Sequence, residues 1–303
     1  MSNKIKTSFL SMLLPILMLP AGSTFAENYV MRFQMDGVKE SGITQEEVKK
    51  KEWEKFMEGN KTISDYTLDY TYNNFVFQGN LLKTYPSINF PNSELSGSLA
   101  IYRSNISNVD PFITVNRVGR SLVFNNNKLN NIDGFGNIQY VGNYISLAEN
   151  NLENLNGLKN LRKVVGDFNA RSNQIKDLDG LRNLRTVNGF MFLYDNKIEN
   201  IDGLINLQYV GGELNMGTNY IQNLKGLKNL EYIGGNLAMT KNPYLTDISG
   251  LSGLKYIGGS VDLNSSIHMR EGFKGIDSDS WICQPEQINK FKSSGAQQKD
   301  ICI

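Results

Sequence analysis

Apolar side chains return through the middle of this chain at a fixed interval. Segments NQIKDLDGLRNLRTVNG, NKIENIDGLINLQYVGG and NYIQNLKGLKNLEYIGG, which start at Asn173, Asn196 and Asn219, align without gaps. The lead asparagines Asn127, Asn150, Asn173, Asn196, Asn219 and Asn242 stand 23 residues apart, and the register then slips by one at Tyr244 and Leu245. Within one unit the apolar positions are Leu129, Ile132, Phe135, Ile138, Val141, Ile145 and Leu147. The last two alternate with polar residues, as a short strand does. Such pairs recur as Leu99/Ile101, Leu122/Phe124, Ile145/Leu147, Phe168/Ala170, Met191/Leu193, Leu214/Met216, Leu237/Met239 and Val261/Leu263. The earlier positions fall on every third residue, too briefly for a full helix, which predicts turns or single 3₁₀ segments. A repeat of this length predicts a solenoid, because one unit alone cannot bury its apolar side. The expected architecture is therefore a right-handed coil with one parallel β-sheet of about eight rungs, spaced about 4.8 Å apart.

Both ends depart from the repeat. Residues 1–26 carry Lys4 and Lys6, an apolar run from Phe9 to Leu19, and small residues up to Ala26. That order predicts a signal peptide cleaved after Ala26, and the run is too short to cross a bilayer. No later segment has the length or apolarity of a membrane span. Residues 27–93 read as an N-terminal cap or docking segment. There Thr44 and Glu47 form a capping-box pattern ahead of Val48, Trp53, Phe56 and Met57 at helical spacing, with Gly59 and Asn60 ending the helix. Tyr66, Leu68, Tyr70 and Tyr72, then Phe75 and Phe77, alternate as in strands. The solenoid is assigned to residues 94–264 and a C-terminal cap to residues 265–303, with a short helix from Pro285 toward Phe291.

Composition narrows the partners. The chain has 31 Lys and Arg against 30 Asp and Glu, a balance that argues against nucleic acid. Its two cysteines, Cys283 and Cys302, read as one disulfide in an exported chain. The single histidine, His268, has no companions for a zinc site. No metal site, cofactor motif or catalytic residue is predicted. Asp133, Asp179 and Asp202 form a column interrupted by Asn156, but each precedes a turn glycine, where a short side chain ordinarily caps its own backbone. The asparagine column reads as structural, since an amide supplies both donor and acceptor to shielded turn backbone. Gly211, Gly212, Gly234, Gly235, Gly258 and Gly259 read as turn glycines with permissive φ.

The asparagine-spaced pattern is similar to leucine-rich repeats, and the GL-x-N-L-x-x-I-G-G-x-L form resembles the receptor L-domain type over roughly residues 95–264. That resemblance implies protein or glycan binding on an exposed solenoid face, with no catalytic residues to carry over. Residues flanking the inward strand positions should face outward. On one coil they are Phe190, Phe192 and Tyr194, bordered by Tyr144, Asp167, Asn169, Arg171, Glu213 and Asn215. Exposed aromatics ringed by polar groups suit a binding hot spot, although Phe190 and Phe192 could also pack on each other. A column of Arg117, Tyr140, Lys163, Thr186, Tyr209, Tyr232 and Tyr256 reads as semi-buried spacers, and Lys159, Arg162, Lys163, Arg182 and Arg185 as a solvated basic face. The expected function is an exported, non-enzymatic binding protein, such as an adhesin or host-directed secreted factor, with a protein or glycan ligand. The alternatives are a surface or assembly component docking through residues 27–93, and a solenoid enzyme acting on polysaccharide.

Overall fold

The computed structural model describes residues 93–264, 266, 274–292 and 301–303, together with two strands nearer the N-terminus, Arg32–Met35 and Tyr72–Gln78. The leader, the segment after Thr44 and the alternation from Tyr66 to Tyr70 lie outside the described residues.

Eight strands, from Leu99–Tyr102 to Val261–Asp262, stack in parallel at the positions of the alternating pairs. Phe168 stands beside Ile145 on one side and Met191 on the other, so equivalent residues of successive units form straight columns. The sheet continues past the repeats. Tyr72–Gln78, which contains Phe75 and Phe77, adds a parallel rung beside Leu99–Tyr102, and Arg32–Met35 pairs antiparallel outside it. At the other end Phe291–Lys292 pairs with Val261–Asp262. Such rungs cover edges that a solenoid would otherwise leave open.

A second parallel ladder of eight two-residue strands, from Glu94–Leu95 to Tyr256–Ile257, forms where the sequence pattern placed only turns. Two residues are too few for an alternating pattern to register, and only the neighbouring coil supplies the hydrogen bonds. Each pair sends an aliphatic residue inward, such as Val187 or Val210, and turns its partner outward. Tyr209, Tyr232 and Tyr256 consequently stack with centroids 4.6 Å apart. Between the two sheets run 3₁₀ segments such as Asp133–Phe135, Asp179–Leu181 and Asp202–Leu204. The turn-closing side chain lies two residues before these aspartates. Asn131, Asp177 and Asn200 accept the backbone N–H of Asp133, Asp179 and Asp202 at 3.3, 3.1 and 2.7 Å.

One continuous apolar core fills the coil, with Phe112, Phe124, Phe135 and Phe168 fully buried. The asparagines bind each coil to the one before it. The Asn196 amide nitrogen donates to Leu193 O of its own coil at 3.0 Å and to Ala170 O of the preceding coil at 3.1 Å. Its Oδ1 accepts Ile175 N–H at 3.1 Å. Asn127, Asn150, Asn173, Asn219 and Asn242 repeat the arrangement. After Asn242 the column ends on buried Ser266, whose hydroxyl accepts Asn242 N–H and donates to Met239 O.

The glycines serve a different purpose from the one their turn positions suggested. None of Gly211, Gly212, Gly234, Gly235, Gly258 and Gly259 has φ in the left-handed range; close approach of coils excludes a side chain instead. Left-handed φ belongs to the residues just before each asparagine, including Ser172 at 53°, Asp195 at 58° and Thr218 at 54°. At the C-terminal end a four-residue helix, Pro285–Ile288, stops short of Phe291, because Phe291 enters the sheet. Cys283 and Cys302 are disulfide-bonded with Cα atoms 5.9 Å apart. This staple holds buried Ile301 against Ile276, whose N–H donates to Ile301 O at 2.7 Å. Closing a loop of this length contributes roughly 3 kcal/mol by chain entropy.

Two substitutions measure these constraints. Asn196→Ala strands the Ile175 N–H and takes one of two amide donors from Ala170 O and from Leu193 O, and should lower unfolding free energy in urea by about 1–3 kcal/mol; an unchanged midpoint would show that the amide bridges contribute nothing. Gly203→Ala places Cβ 1.7 Å from Leu178 O, whereas Gly212→Ala meets the Phe190 ring at 2.8 Å. Backbone cannot yield and a partly free ring can, so Gly203→Ala should be much the more destabilising in thermal melts.

Candidate binding face

The outward columns of the main sheet are mostly short and polar. Asn169, Asn215 and Asp262 each fold back, their Oδ1 accepting the N–H of Arg171, Gly217 and Asn264 at 3.2, 3.1 and 3.0 Å. This closes the end of the strand locally. Phe192 occupies the same column between Asn169 and Asn215 and cannot make that bond. The departure therefore needs a reason other than the stack.

Phe190, Phe192 and Tyr194 form an unbroken aromatic row along one coil. Phe190 and Phe192 lie nearly parallel, with centroids 5.5 Å apart and planes 14° apart. Tyr194 meets Phe192 edge to face at 6.1 Å and 72°. Phe190 remains 46% exposed, while Phe192 and Tyr194 are half-buried. The pair thus packs on itself and still presents apolar surface.

The polar border is tied down unevenly. Asp167 accepts Phe190 N–H at 2.8 Å and so holds the start of the row. Glu213 accepts from the Asn215 amide at 2.9 Å and from the Asn236 amide at 3.2 Å. Arg171 pairs with Glu149 at 2.7 Å and lies 5.8 Å over the Tyr194 ring. A half-exposed pair of this kind contributes about 0–1 kcal/mol; its use here is to fix the guanidinium on the ring. Tyr144 is the member that the structure separates from the others. Its side chain is bonded to Ser121, toward the N-terminal end and away from the row. On that side the face closes, with Ala100, Ser121 and Val123 buried despite their outward register.

Sequence reasoning missed a groove at the turns that follow the main strands. It has a volume of about 440 Å³ and is lined in part by Asp195, Lys197, Thr218, Tyr220, Lys241 and Pro243. Its signal was in the sequence: Tyr220 and Pro243 interrupt a column otherwise made of Lys128, Asn151, Gln174 and Lys197. Among the described residues no group of three potential metal ligands is assembled, and no helix is long and apolar enough to cross a membrane. Asp179 is ion-paired with Arg182 at 2.8 Å on the 3₁₀ side.

The stacked parallel strands, inward leucines and bridging asparagines make this a leucine-rich repeat solenoid. No model of a known protein family and no curated protein sequence matches the chain. Solved structures do match. Internalin C2 of Listeria monocytogenes aligns with 22% identity over 65% of this chain and 80% of that one, at a TM-score of 0.44. A second internalin of that species aligns with 16% identity over 66% of this chain and 61% of its own, at 0.34. A leucine-rich repeat protein of Leptospira interrogans aligns with 15% identity over 65% of this chain and 54% of its own, at 0.36.

Burial raises the Tyr144 phenol above its ordinary 10.0, outweighing the hydrogen bond with Ser121, which lowers it. The folded chain therefore holds this proton longer than the unfolded one. The resulting stability is intact below pH 10 and is lost as pH rises through the folded pKa. An ultraviolet difference titration of wild type against Tyr144→Phe should place this phenolate step above 10.0; a step at or below that value would contradict the buried position.

Proposed function

We propose that this chain is an exported, non-enzymatic binding protein that captures a protein partner on its main sheet, with Phe190, Phe192 and Tyr194 as the anchor. The observation that carries this reading is the aromatic row itself, set among columns of small and polar residues whose side chains are spent on the fold. Asp167, Asn169, Arg171, Glu213 and Asn215 form the polar rim around it, and Tyr144 marks the closed side. Aromatic anchors surrounded by a hydrogen-bonded rim are the usual arrangement of an interaction hot spot.

Ring geometry favours protein over glycan here. Phe190 and Phe192 face each other and Arg171 covers Tyr194. A sugar needs a bare ring face, whereas aliphatic and aromatic side chains pack equally well against ring edges. Export is supported by the disulfide, which persists in oxidising compartments, and by the apolar run and small residues that end at Ala26. An adhesin or a host-directed secreted factor is the setting in which such a face serves.

The double variant Phe190→Ser/Phe192→Ser tests the site. Full-length wild type and variant are compared on an array of extracellular protein ectodomains beside a glycan array, with circular dichroism and melting as folding controls. Ectodomains bound by wild type should lose at least about 30-fold in affinity, the scale of a two-residue hot spot. Undiminished binding by a folded variant, or binding confined to glycans, would remove the proposal.

A further inference from the structure

The groove beyond the strand ends is separate from the aromatic row, and its chemistry differs. Seven residues, one before each asparagine and one before Ser104 included, adopt left-handed backbone and turn the chain out of the sheet. Asp195, Thr218 and Lys241 are three of them, and they line the groove. The asparagines beneath are buried and committed to backbone. What remains for a ligand comes from the next position along, where the chain changes character. Gln174 and Lys197 give way to Tyr220 and Pro243.

The one-residue slip in the repeat falls at this place. Leu237 pairs with Val261, 24 residues on, while every earlier rung from Leu99 is spaced by 23. Asn242 keeps its bridge, accepting Ile221 N–H at 3.1 Å, so the extra residue is taken up after it. A turn closed by Leu245 N–H on Asn242 O, 3.1 Å, expels Pro243 and Tyr244 from the coil. Tyr244 is 57% exposed and Tyr220 43%. Their centroids are 6.1 Å apart and their planes tilted by 53°, so neither ring covers the face of the other.

Charge is distributed to match. Asp195 is occupied by the Ser172 hydroxyl, which donates to it at 2.9 Å. Lys197 and Lys241 form no ion pair among the described residues. Two exposed lysines without an ion pair among the described residues, together with two exposed tyrosine rings, suit a ligand with both a carboxylate and an apolar C–H face. Backbone recognition of a peptide is closed off. The N–H groups of Asp195, Thr218 and Lys241 already donate to Gly217, Thr240 and Asn264 of the next coil, which leaves no strand edge to extend.

We propose that the groove lined by Lys197, Tyr220 and Lys241, with Tyr244 next to Tyr220, binds an acidic oligosaccharide, with pyranose faces on the tyrosine rings and uronate or sialate carboxylates on the lysines.

Titration calorimetry of the full chain with a panel of uronic-acid and sialic-acid oligosaccharides tests this, with their methyl esters as neutral controls and oligoglutamate as an acidic peptide. At least one acidic sugar should bind, more weakly as salt rises, and its methyl ester at least about 10-fold more weakly. Lys197→Gln/Lys241→Gln and Tyr220→Ala/Tyr244→Ala, all at exposed positions, should each cost at least about 10-fold. Phe190→Ser/Phe192→Ser should leave the affinity unchanged, which keeps this site distinct from the protein-binding face. Silence across the whole panel overturns the proposal. So does equal binding of esters or oligoglutamate, or binding indifferent to both groove variants.

Discussion

The fold depends on one hydrogen-bonding group repeated down one edge of the coil. Where each strand turns away, carbonyls of two successive coils point into the interior beyond the reach of water. An unsatisfied polar group there costs about 1–3 kcal/mol. A side-chain amide satisfies both carbonyls with its nitrogen and the preceding coil's N–H with its oxygen, as at Asn196. The amide is short enough to reach only from a fixed place, so it sets the unit length and the stacking register together. Ser266 supplies a reduced version at the end of the column, where no further repeat follows to be bridged.

Because stacking fixes some columns completely, it frees others. The asparagine column, the inward strand positions and the glycine that faces Leu178 O have no latitude. Outward columns have a default use instead, as when Asn169 and Asn215 close the strand ends. A residue that gives up this default, such as half-buried Phe192, exchanges a local hydrogen bond for ring packing on its own coil. Tyr220 and Pro243 depart in the same way from a polar column. The solenoid thus separates the requirements of folding from those of its free columns, and the exceptions to a column mark the two surfaces proposed for recognition.

The two surfaces differ in how their rings stand. Along the row, rings cover rings and a guanidinium covers the last, leaving edges and one half-exposed phenyl. At the groove the rings are tilted against each other and both are exposed. Both lie along neighbouring coils, with Tyr194 next in the chain to Asp195. Their chemistry differs because one sits on the sheet and the other on the turn that an inserted residue enlarges.

The period alone determined the inward columns, the eight main rungs, the 3₁₀ connectors and the asparagine ladder, and the cysteine count determined the staple. These depend on whether a side chain is buried, a property that recurs with the unit and is written in residue type. The second ladder, the left-handed residues before each asparagine and the reason for the glycines arose only on stacking, because each depends on backbone from a coil 23 residues away. The same holds at the sites. Sequence placed Phe190, Phe192 and Tyr194 on one coil, but ring orientation, the turning of Tyr144 toward Ser121 and the groove beside Tyr220 were decided by neighbours across coils. A repeat records which way a residue faces; only the packed stack decides what it meets there.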